Sequence, residues 1–196
     1  MHLTHAHRDD RHVRLEPLTP ARVPALIAAA DQDPTIFAHW PRRFPSSYAS
    51  EAEWLLAEQA AGRWLVHVVI SPAGTVVGQT CYLNIRPEHA GTEIGGTWYT
   101  RAAQGTTINP ASKRLLLAHA FAAGAERVEL KTDALNVRSR AAILKLGATF
   151  EGIFRHHMIR PDGSWRDTAW YSILAADWPA VRTALDQRLA ASVSTS

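Results

Sequence analysis

Residues 92–109 carry the strongest chemical signal in the sequence. A strand pattern that contains Gly95 and Gly96 runs into a short polar loop and then into a helix that Asn109-Pro110 would open. A loop with unpaired backbone N–H groups at a helix N-terminus favours phosphate binding, because the free donors and the positive end of the helix dipole point the same way. We therefore expect a phosphate site on Gln104, Gly105, Thr106, Thr107, Ile108 and Asn109.

The glycine pair indicates what else the ligand carries. Glycine inside a strand weakens it, so a pair of them predicts either a bulge or the close approach of another chain. A strand splayed from its neighbour would leave amides free to pair with an extended ligand that has amides of its own, as pantetheine has. Together with the phosphate site this favours coenzyme A over a nucleotide. The sequence contains neither G-x-x-x-x-G-K-[ST] nor G-x-G-x-x-G.

Composition limits the class of protein. The chain has 196 residues, of which 46% are hydrophobic, so it can bury the core of one domain. Its apolar runs are far shorter than the roughly 18 residues of a membrane span. The single cysteine, Cys81, excludes an internal disulfide and suits the cytoplasm. The net charge of +3 comes from scattered basic residues, which favours a solvated surface with a local anion site over nucleic-acid binding.

The hydrophobic periodicity predicts one α+β domain over residues 13–190 with a mostly antiparallel sheet. A loose polar arm, residues 1–12, precedes it and contains four histidines without a hydrophobic period, and a disordered tail, 191–196, follows it. The predicted elements are a strand at 13–18, a helix at 19–30, a Pro- and aromatic-rich loop at 31–47, a helix from a capping box at Ser50 and Glu53, a hairpin at 64–85, the strand 92–99, the helix from Asn109, a strand at 127–132, a helix at 136–146, a hairpin at 149–174 and a helix at 178–189.

Four segments, in order and spacing, resemble the GNAT acetyltransferases, and most closely their RimJ/RimL-like group. They are Glu93-Ile94-Gly95 with Trp98, Gln104-Gly105 before a helix, the run 136–152, and the run 166–174. The resemblance extends from about Val13 to Trp178. It implies a single-domain GNAT fold, with helices on both faces of the sheet and a splayed central strand pair, and acetyl transfer from acetyl-CoA to an amine.

The resemblance also implies roles in cofactor binding. The pyrophosphate would bind the amides of Gln104 to Ile108, with Trp98 and Tyr99 also at the cofactor. The family pattern Q/R-x-x-G-x-G/A falls here on Gln104, Thr107 and Asn109. Thr107 replaces the usual glycine and, being β-branched, resists positive φ, which would weaken cofactor binding, although the hydroxyls of Thr106 and Thr107 could donate to phosphate oxygens. Asn109 replaces a small residue and is interpreted mainly as an N-cap.

Catalytic candidates follow from the next helix and from the strand that contains the glycines. Asn136 and Ser139 share one side of a first helical turn. They either cap the helix or, as the resemblance implies, bind pantetheine and protonate the leaving thiolate, since the position of the usual tyrosine holds Ile143. Glu93 is the first candidate for the general base, acting through water. Direct attack in a ternary complex would use strand N–H groups as oxyanion donors.

The acceptor side is less defined by the sequence. Trp40, Arg42 and Phe44 would wall the acceptor cleft, or simply pack on the core. Of the adjacent His156 and His157 only one can face the cleft, and His156 is taken as the candidate.

The acceptor is either a protein N-terminus or a small-molecule amine, and no metal, nucleic acid or membrane is expected. The aromatic C-terminal hairpin could form a homodimer edge. The alternative function is a non-catalytic CoA-binding or regulatory protein with a degenerate GNAT fold, which Thr107 and the missing tyrosine would favour.

Overall fold

In a computed structural model, which describes residues 1–42 and 47–191, the described chain forms one eight-stranded mixed sheet with helices on both faces. The strands are β1 (Arg8–Asp9), β2 (Arg14–Pro17), β3 (Leu65–Ile70), β4 (Val76–Arg86), β5 (Gly91–Tyr99), β6 (Arg127–Asp133), β7 (Thr149–Ile159) and β8 (Trp165–Leu174). The helices are α1 (Val23–Asp31), α2 (Ala49–Ala60), α3 (Ile108–Ala122), α4 (Val137–Leu144) and α5 (Trp178–Ala191).

The sheet has the strand order β1-β2-β3-β4-β5-β6-β8-β7. Every neighbouring pair is antiparallel except β5 and β6. Those two pair in parallel over only three residues each, and the register ends at Glu93 opposite Glu129. The predicted α+β class, the mostly antiparallel sheet and the splayed central strand pair are therefore confirmed.

Successive side chains of each strand point to opposite faces of the sheet, so the strands contribute to two hydrophobic layers. On one face, α3 and α5 pack Leu117 and Leu185 against the sheet. On the other face, α1 and α2 pack Leu26 and Leu55, in the same cluster as Val68 of β3. The part of the sheet formed by β6, β7 and β8 carries polar side chains on that second face, which leaves it open beside the splayed strands.

A β-bulge in β5 accounts for the glycine pair. Gly96 and Thr97 together stand opposite Thr80, because the register jumps from Gln79 with Trp98 to Cys81 with Gly95. Gly96 has φ +54, and a Cβ on it would come within 2.8 Å of the Trp64 ring. Only glycine fits this position, and the bulge that the sequence offered as one alternative is confirmed.

Two predicted helix starts are wrong. Helix α3 begins at Ile108 with Thr107 as N-cap, so Asn109 is the second helical residue and not the cap. The Thr106 hydroxyl accepts a hydrogen bond from the Ile108 N–H at 3.3 Å, so Thr106 satisfies the first N–H group of this helix.

Helix α2 begins at Ala49, one residue before the predicted capping box at Ser50 and Glu53. The Ser47 hydroxyl accepts the Ala49 N–H at 3.2 Å. It also donates to Asp31 at 2.7 Å, so the residue that ends the preceding loop anchors this helix start.

The first twelve residues pack against the sheet, whereas the sequence favoured a loose arm. Arg8 and Asp9 pair with β2, and His5 Nε2 lies 2.8 Å from the Val66 carbonyl. Edge pairing through the backbone requires no hydrophobic period, so the sequence pattern does not reveal it. At the other end, α5 extends to Ala191, and 192–196 of the predicted tail lie outside the described residues. None of the described helices is long and apolar enough to cross a membrane.

The N-terminal segment covers a buried histidine of β3. His67 is fully buried; its ring meets that of His5 edge-on at 4.9 Å and that of Tyr82 at 6.0 Å. Neither ring nitrogen has a hydrogen-bond partner among the described residues. Burial, with the nearby charges of His5 and Arg8, lowers the pKa of His67 to about 3.

We expect acid to destabilise the protein through His67. The unfolded chain takes up a proton below about pH 6.5, whereas the folded chain does not until about pH 3. Stability is therefore complete above pH 6.5 and is lost as the pH falls toward 3. Between pH 7 and 4.5 the loss from this group is about 2 to 3 kcal/mol. Urea unfolding at the two pH values measures it, and His67→Phe should show a smaller loss.

The exposed His89 provides the control, because His89→Gln should keep the wild-type pH dependence. Equal acid losses in wild type and His67→Phe would contradict the assignment to His67.

Candidate functional site

A cavity of about 460 Å³ lies where β5 and β6 separate. Its walls come from the loop before α2, from β4, β5 and β6, from the start of α3, from α4, and from β7 and β8. Ten of the predicted site residues line it: Trp40, Arg42, Glu93, Trp98, Tyr99, Gln104, Gly105, Asn109, Asn136 and Ser139. Thr106, Thr107, Ile108 and His156 are not among its lining residues, and Phe44 lies outside the described residues.

The loop before α3 contains unpaired amides, and two of the residues that carry them, Gly105 and Asn109, line the cavity. The N–H groups of Gly105, Thr106, Thr107 and Asn109 have no hydrogen-bond partner among the described residues. They surround the N-terminus of a 15-residue helix, so the free donors and the helix dipole act on the same point. This geometry suits a phosphate or pyrophosphate group.

Thr107 does not obstruct the loop. Its φ is −71, and the left-handed position falls on Gly105, with φ +79. The positive φ that Thr107 would resist is therefore not required of it, whereas the expected weakening of cofactor binding stays a prediction. The expected phosphate donation from Thr106 is corrected, because its hydroxyl already donates to the Ala103 carbonyl at 2.7 Å.

Gln104 links the two sides of the cavity mouth. Its side-chain amide donates to the Tyr99 carbonyl at 2.9 Å, and its oxygen accepts from Arg138 on the first turn of α4. Arg138 is exposed and lines the cavity, although the sequence reasoning did not select it. The guanidinium is thus held by the residue that precedes the free amides, and it adds a positive charge to this part of the cavity.

The start of α4 supplies two polar side chains. Asn136 is the N-cap, and its oxygen accepts the Ser139 N–H at 3.0 Å, so the predicted cap is confirmed. The Ser139 hydroxyl has no hydrogen-bond partner among the described residues. One turn further, Ile143 lines the cavity.

Glu93 is held so that one carboxylate oxygen remains available. The side chain is 2% exposed; its Oε2 accepts from Asn84 Nδ2 at 2.6 Å and pairs with Lys131 Nζ at 2.8 Å. Its Oε1 lies against the backbone of Gly95, where an added Cβ would come within 2.7 Å. Asn84 adopts φ +48, a strained conformation that places its amide on this carboxylate.

Two of the aromatic and basic residues predicted at the site also have structural partners. The Trp98 indole donates to the Tyr48 hydroxyl at 2.9 Å inside the core of the α1 and α2 side. Arg42 forms an ion pair with the buried Glu51 and lies 3.8 Å from the centre of the Trp54 ring. The charge of Arg42 is therefore compensated within the protein.

His156 is turned away from the cavity by a bulge in β7. The register of β7 with β8 shifts between Phe154 and Met158, and His156 has φ +49. The His156 ring stacks on Trp165 with 5.1 Å between the ring centres, and the His156 backbone N–H donates to the Asp167 carboxylate at 2.8 Å. The simple alternation that selected His156 fails here. Met158 and Arg166 occupy the cavity wall instead.

Residues 12–149 match the family described as an acetyltransferase (GNAT) domain. The chain belongs to the GNAT acetyltransferases. A GCN5-related N-acetyltransferase from Brucella melitensis is 30% identical, over 95% of this chain and 86% of that one, with a TM-score of 0.87.

Two further solved structures are similar to this GNAT chain. A protein from T. thermophilus assigned as an acetyltransferase is 34% identical, over 96% of this chain and 100% of that one, with a TM-score of 0.85. Mycobacterium smegmatis RimJ in complex with CoA-disulfide is 25% identical, over 90% and 88%, with a TM-score of 0.77. A search of curated proteins gave no match. As a GNAT domain, the chain is an acyltransferase whose family uses acetyl-CoA.

Sequence reasoning missed a buried lysine in this GNAT domain. Lys113 of α3 lines the cavity and is 5% exposed. Its Nζ donates to the hydroxyls of Thr97 at 2.6 Å and Thr80 at 2.9 Å, at the bulge of β5. Burial lowers the pKa of Lys113 to about 7. The available signal was its position four residues after Asn109, since both side chains line the cavity.

We expect Lys113→Met to stabilise the protein near neutral pH. The unfolded chain holds the lysine proton up to about pH 10.4, whereas the folded chain releases it near pH 7. The lysine therefore costs no stability above about pH 10.4, its cost grows as the pH falls from 10.4 toward 7, and the cost is fully present below about pH 7. The gain at pH 7.5 is about 2 to 4 kcal/mol. The Thr80 and Thr97 hydroxyls remain bonded to each other at 2.8 Å.

Urea unfolding of the variant between pH 7 and 9.5 measures the effect, with the exposed Lys145→Met as the control that should change neither the stability nor its pH dependence. A steep pH dependence retained in Lys113→Met would contradict this assignment.

Proposed function

We propose that this protein is an acetyl-CoA-dependent N-acetyltransferase that transfers acetyl to a primary amine by direct attack in a ternary complex. One observation carries the proposal. A single cavity is lined by Gly105 and Asn109, which carry free amides before α3, by the unpaired part of β5 and by Glu93 with its available oxygen. Phosphate binding, pantetheine binding and base catalysis thereby converge on one space.

The proposed cofactor position follows the splayed strands. The pyrophosphate would bind the amides of Gly105 to Asn109, with Arg138 beside it. Beyond Glu93, β5 has no backbone pairing with β6, so its N–H and C=O groups can bond the pantetheine amides. Asn136, whose side-chain oxygen is used in capping, would donate to pantetheine through its side-chain N–H.

The proposed reaction needs little beyond positioning. The neutral amine attacks the thioester carbonyl carbon, the carbon–sulfur bond breaks, and CoA leaves as its thiolate. Glu93 Oε1 takes the amine proton, directly or through water, and backbone N–H groups of β5 near the bulge stabilise the oxyanion. The thiolate, whose reference pKa of about 8.5 makes it a stable leaving group, would take up a solvent proton relayed through the Ser139 hydroxyl, which gains one proton as it gives one.

For the acceptor, we propose a primary amine on a protein N-terminus or on a small molecule. The likeness to RimJ supports the RimJ/RimL-like group and the N-terminal acceptor. Trp40 would wall the acceptor side. The buried free thiol of Cys81 supports a reducing compartment such as the cytoplasm.

A homodimer stays a prediction, and the edge position of β7 supports it. This strand exposes Phe150, Ile153, Phe154 and Ile159. Contiguous apolar side chains on an edge strand favour association with a second copy.

The alternative, a CoA-binding protein without turnover, keeps one supporting observation. Ile143 lines the cavity where a hydroxyl would act as acid. The objection from the backbone conformation of Thr107 no longer applies, because Gly105 takes the left-handed conformation.

We expect acetyl-CoA and desulfo-CoA to raise the melting temperature, while ATP does not. A ligand at one hundred times its Kd adds about 2.7 kcal/mol, and each kcal/mol is worth about 2 to 4 °C here. Gly105→Ala should abolish this rise, because alanine resists φ +79 and would reshape the loop.

Gly74→Ala is the matched control, since Gly74 has φ +81 in the β3–β4 turn and, like Gly105, open space around it. Both variants should lose similar intrinsic stability, but only Gly74→Ala should keep the acetyl-CoA shift. If wild type shows no shift at millimolar acetyl-CoA, the cofactor site is not where we propose it.

We expect Glu93→Gln to keep the acetyl-CoA shift and to lower kcat about 10²- to 10⁴-fold for acceptor amines. Gly95→Ala should act similarly, because its Cβ would displace Oε1. Glu129→Gln is the control, since Glu129 is the register partner of Glu93 but pairs with Arg86 and Arg127. An unchanged kcat in Glu93→Gln would exclude Glu93 as the base, and acetyl-CoA binding without transfer to any amine would favour the non-catalytic alternative.

A further inference from the structure

The acceptor end of the cavity contains a buried guanidinium without a partner. Arg166 of β8 lines the cavity and is 6% exposed. Its side chain makes no hydrogen bond or ion pair with any described residue, and its Nε is fully shielded and unsatisfied. Burying an unpaired cation is costly, so proteins rarely keep one unless a ligand completes it.

The carboxylates near Arg166 are already committed to other cations. Asp133 accepts from Arg160 Nε at 2.8 Å and from Arg160 Nη2 at 3.0 Å. Glu93 is shared by Lys131 and Asn84. Both carboxylates whose charge acts on Arg166 therefore have their direct contacts with other side chains, and the Arg166 guanidinium stays free for a ligand.

The direction of the Arg166 pKa shift agrees with a guanidinium that has no direct partner. Burial lowers the pKa of Arg166, and the charges of Asp133 and Glu93 only partly offset the cost of keeping it charged. The neighbouring His157 has its pKa lowered by burial and by Lys131 and Arg166, so it adds no further positive charge at neutral pH.

We propose that the acceptor is an amine that also carries a carboxylate, with the amine at Glu93 and the carboxylate on Arg166. The inference rests on the proposed acetyl transfer only for the role of the amine. A planar guanidinium offers parallel N–H donors that match a carboxylate, which makes this anion the best fit. Met158, the register partner of Arg166 on β7, also lines the cavity and supplies apolar contact for the part of the acceptor beside the carboxylate.

Arg42, a sequence candidate for the wall of the acceptor cleft, does not compete for this role. Its guanidinium is occupied by Glu51 and covers Trp54. Arg43, the second arginine of that loop, lies outside the described residues. Anion recognition thus falls on β8 and not on the loop before α2.

Matched amine pairs test the proposal by acetyl-transfer kinetics. One pair is a free amino acid and its carboxamide, and the other is a dipeptide and its carboxamide. The two pairs distinguish the carboxylate of an amino acid from that of a short peptide. Wild type should favour the carboxylate by on the order of tenfold to a hundredfold in KM, the cost of one charged hydrogen-bonded contact. Arg166→Met should remove that preference by raising KM for the carboxylate. The kcat values and the KM for the carboxamide should stay nearly unchanged.

Arg155→Met is the control, because Arg155 is exposed on β7 and has no hydrogen-bond or ion-pair partner among the described residues. It should keep the preference. Arg166→Met should also remain folded, since removing an unpaired buried charge does not destabilise, and its melting temperature checks this. Equal KM values for both members of every pair in wild type, or a preference that survives in Arg166→Met, would overturn the proposal.

A binding experiment separates this inference from the proposed activity. N-acetylglycine and N-acetylglycinamide are titrated by calorimetry into the protein saturated with CoA, which blocks the phosphate site. Arg166-dependent binding of N-acetylglycine would support the carboxylate site even if no amine were acetylated. Acetylation of neutral amines with no carboxylate preference and no N-acetylglycine binding would support the activity and refute the carboxylate site.

Discussion

The early end of the parallel pairing between β5 and β6 is the constraint on which the rest of the structure depends. A strand that loses its neighbour after three residues must be held from elsewhere. Here β4 holds it through the bulge at Gly96 and Thr97, Trp98 anchors one face on Tyr48, and Lys113 ties Thr97 to α3. The free side of β5 therefore keeps its shape without a partner strand. Rigid, unpaired backbone is what an amide-bearing ligand such as pantetheine requires.

The cavity contains more buried basic groups than carboxylates to pair with them. Its one buried carboxylate, Glu93, is neutralised by Lys131, whereas Lys113 and Arg166 are buried without a carboxylate partner among the described residues. Burying a cation, or a lysine that must give up its proton on folding, lowers stability, so the presence of both in one cavity indicates a function that offsets the cost. The free amides before α3 add a third site for negative charge. The arrangement suits the meeting of an anionic cofactor with an anionic acceptor.

The sequence predicted the cap at Asn136 from local turn chemistry, and it predicted the splayed strand pair through the resemblance to the GNAT family. The prediction of His156 failed because alternation cannot detect the bulge in β7. Arg166 could not be predicted, and the helical spacing of Lys113 from Asn109 indicated only a shared helix face, since the chemistry of both residues depends on distant neighbours. Arg166 shares a cavity with Glu93 only because β8 pairs with β6 and β6 with β5, and Lys113 is unusual only because its helix faces the bulge. An isolated Lys or Arg more often indicates a solvated surface.

Ile143 lines the cavity at the position where related enzymes have a tyrosine acid, but this replacement is a weak argument against catalysis. Thioester aminolysis expels a thiolate that is close to stable at neutral pH, so the acid contributes less than the base and the positioning groups. The harder step is to present a neutral amine at the thioester, because an α-amine near pKa 7.7 to 8.0 is already partly neutral whereas a lysine amine near 10.4 is not. A cavity with one available carboxylate oxygen and no second acid among its described lining residues therefore suits an α-amine better than a lysine side chain. The carboxylate that an α-amino acid or a short peptide carries would then meet the only guanidinium of the described cavity wall that is buried and unpaired.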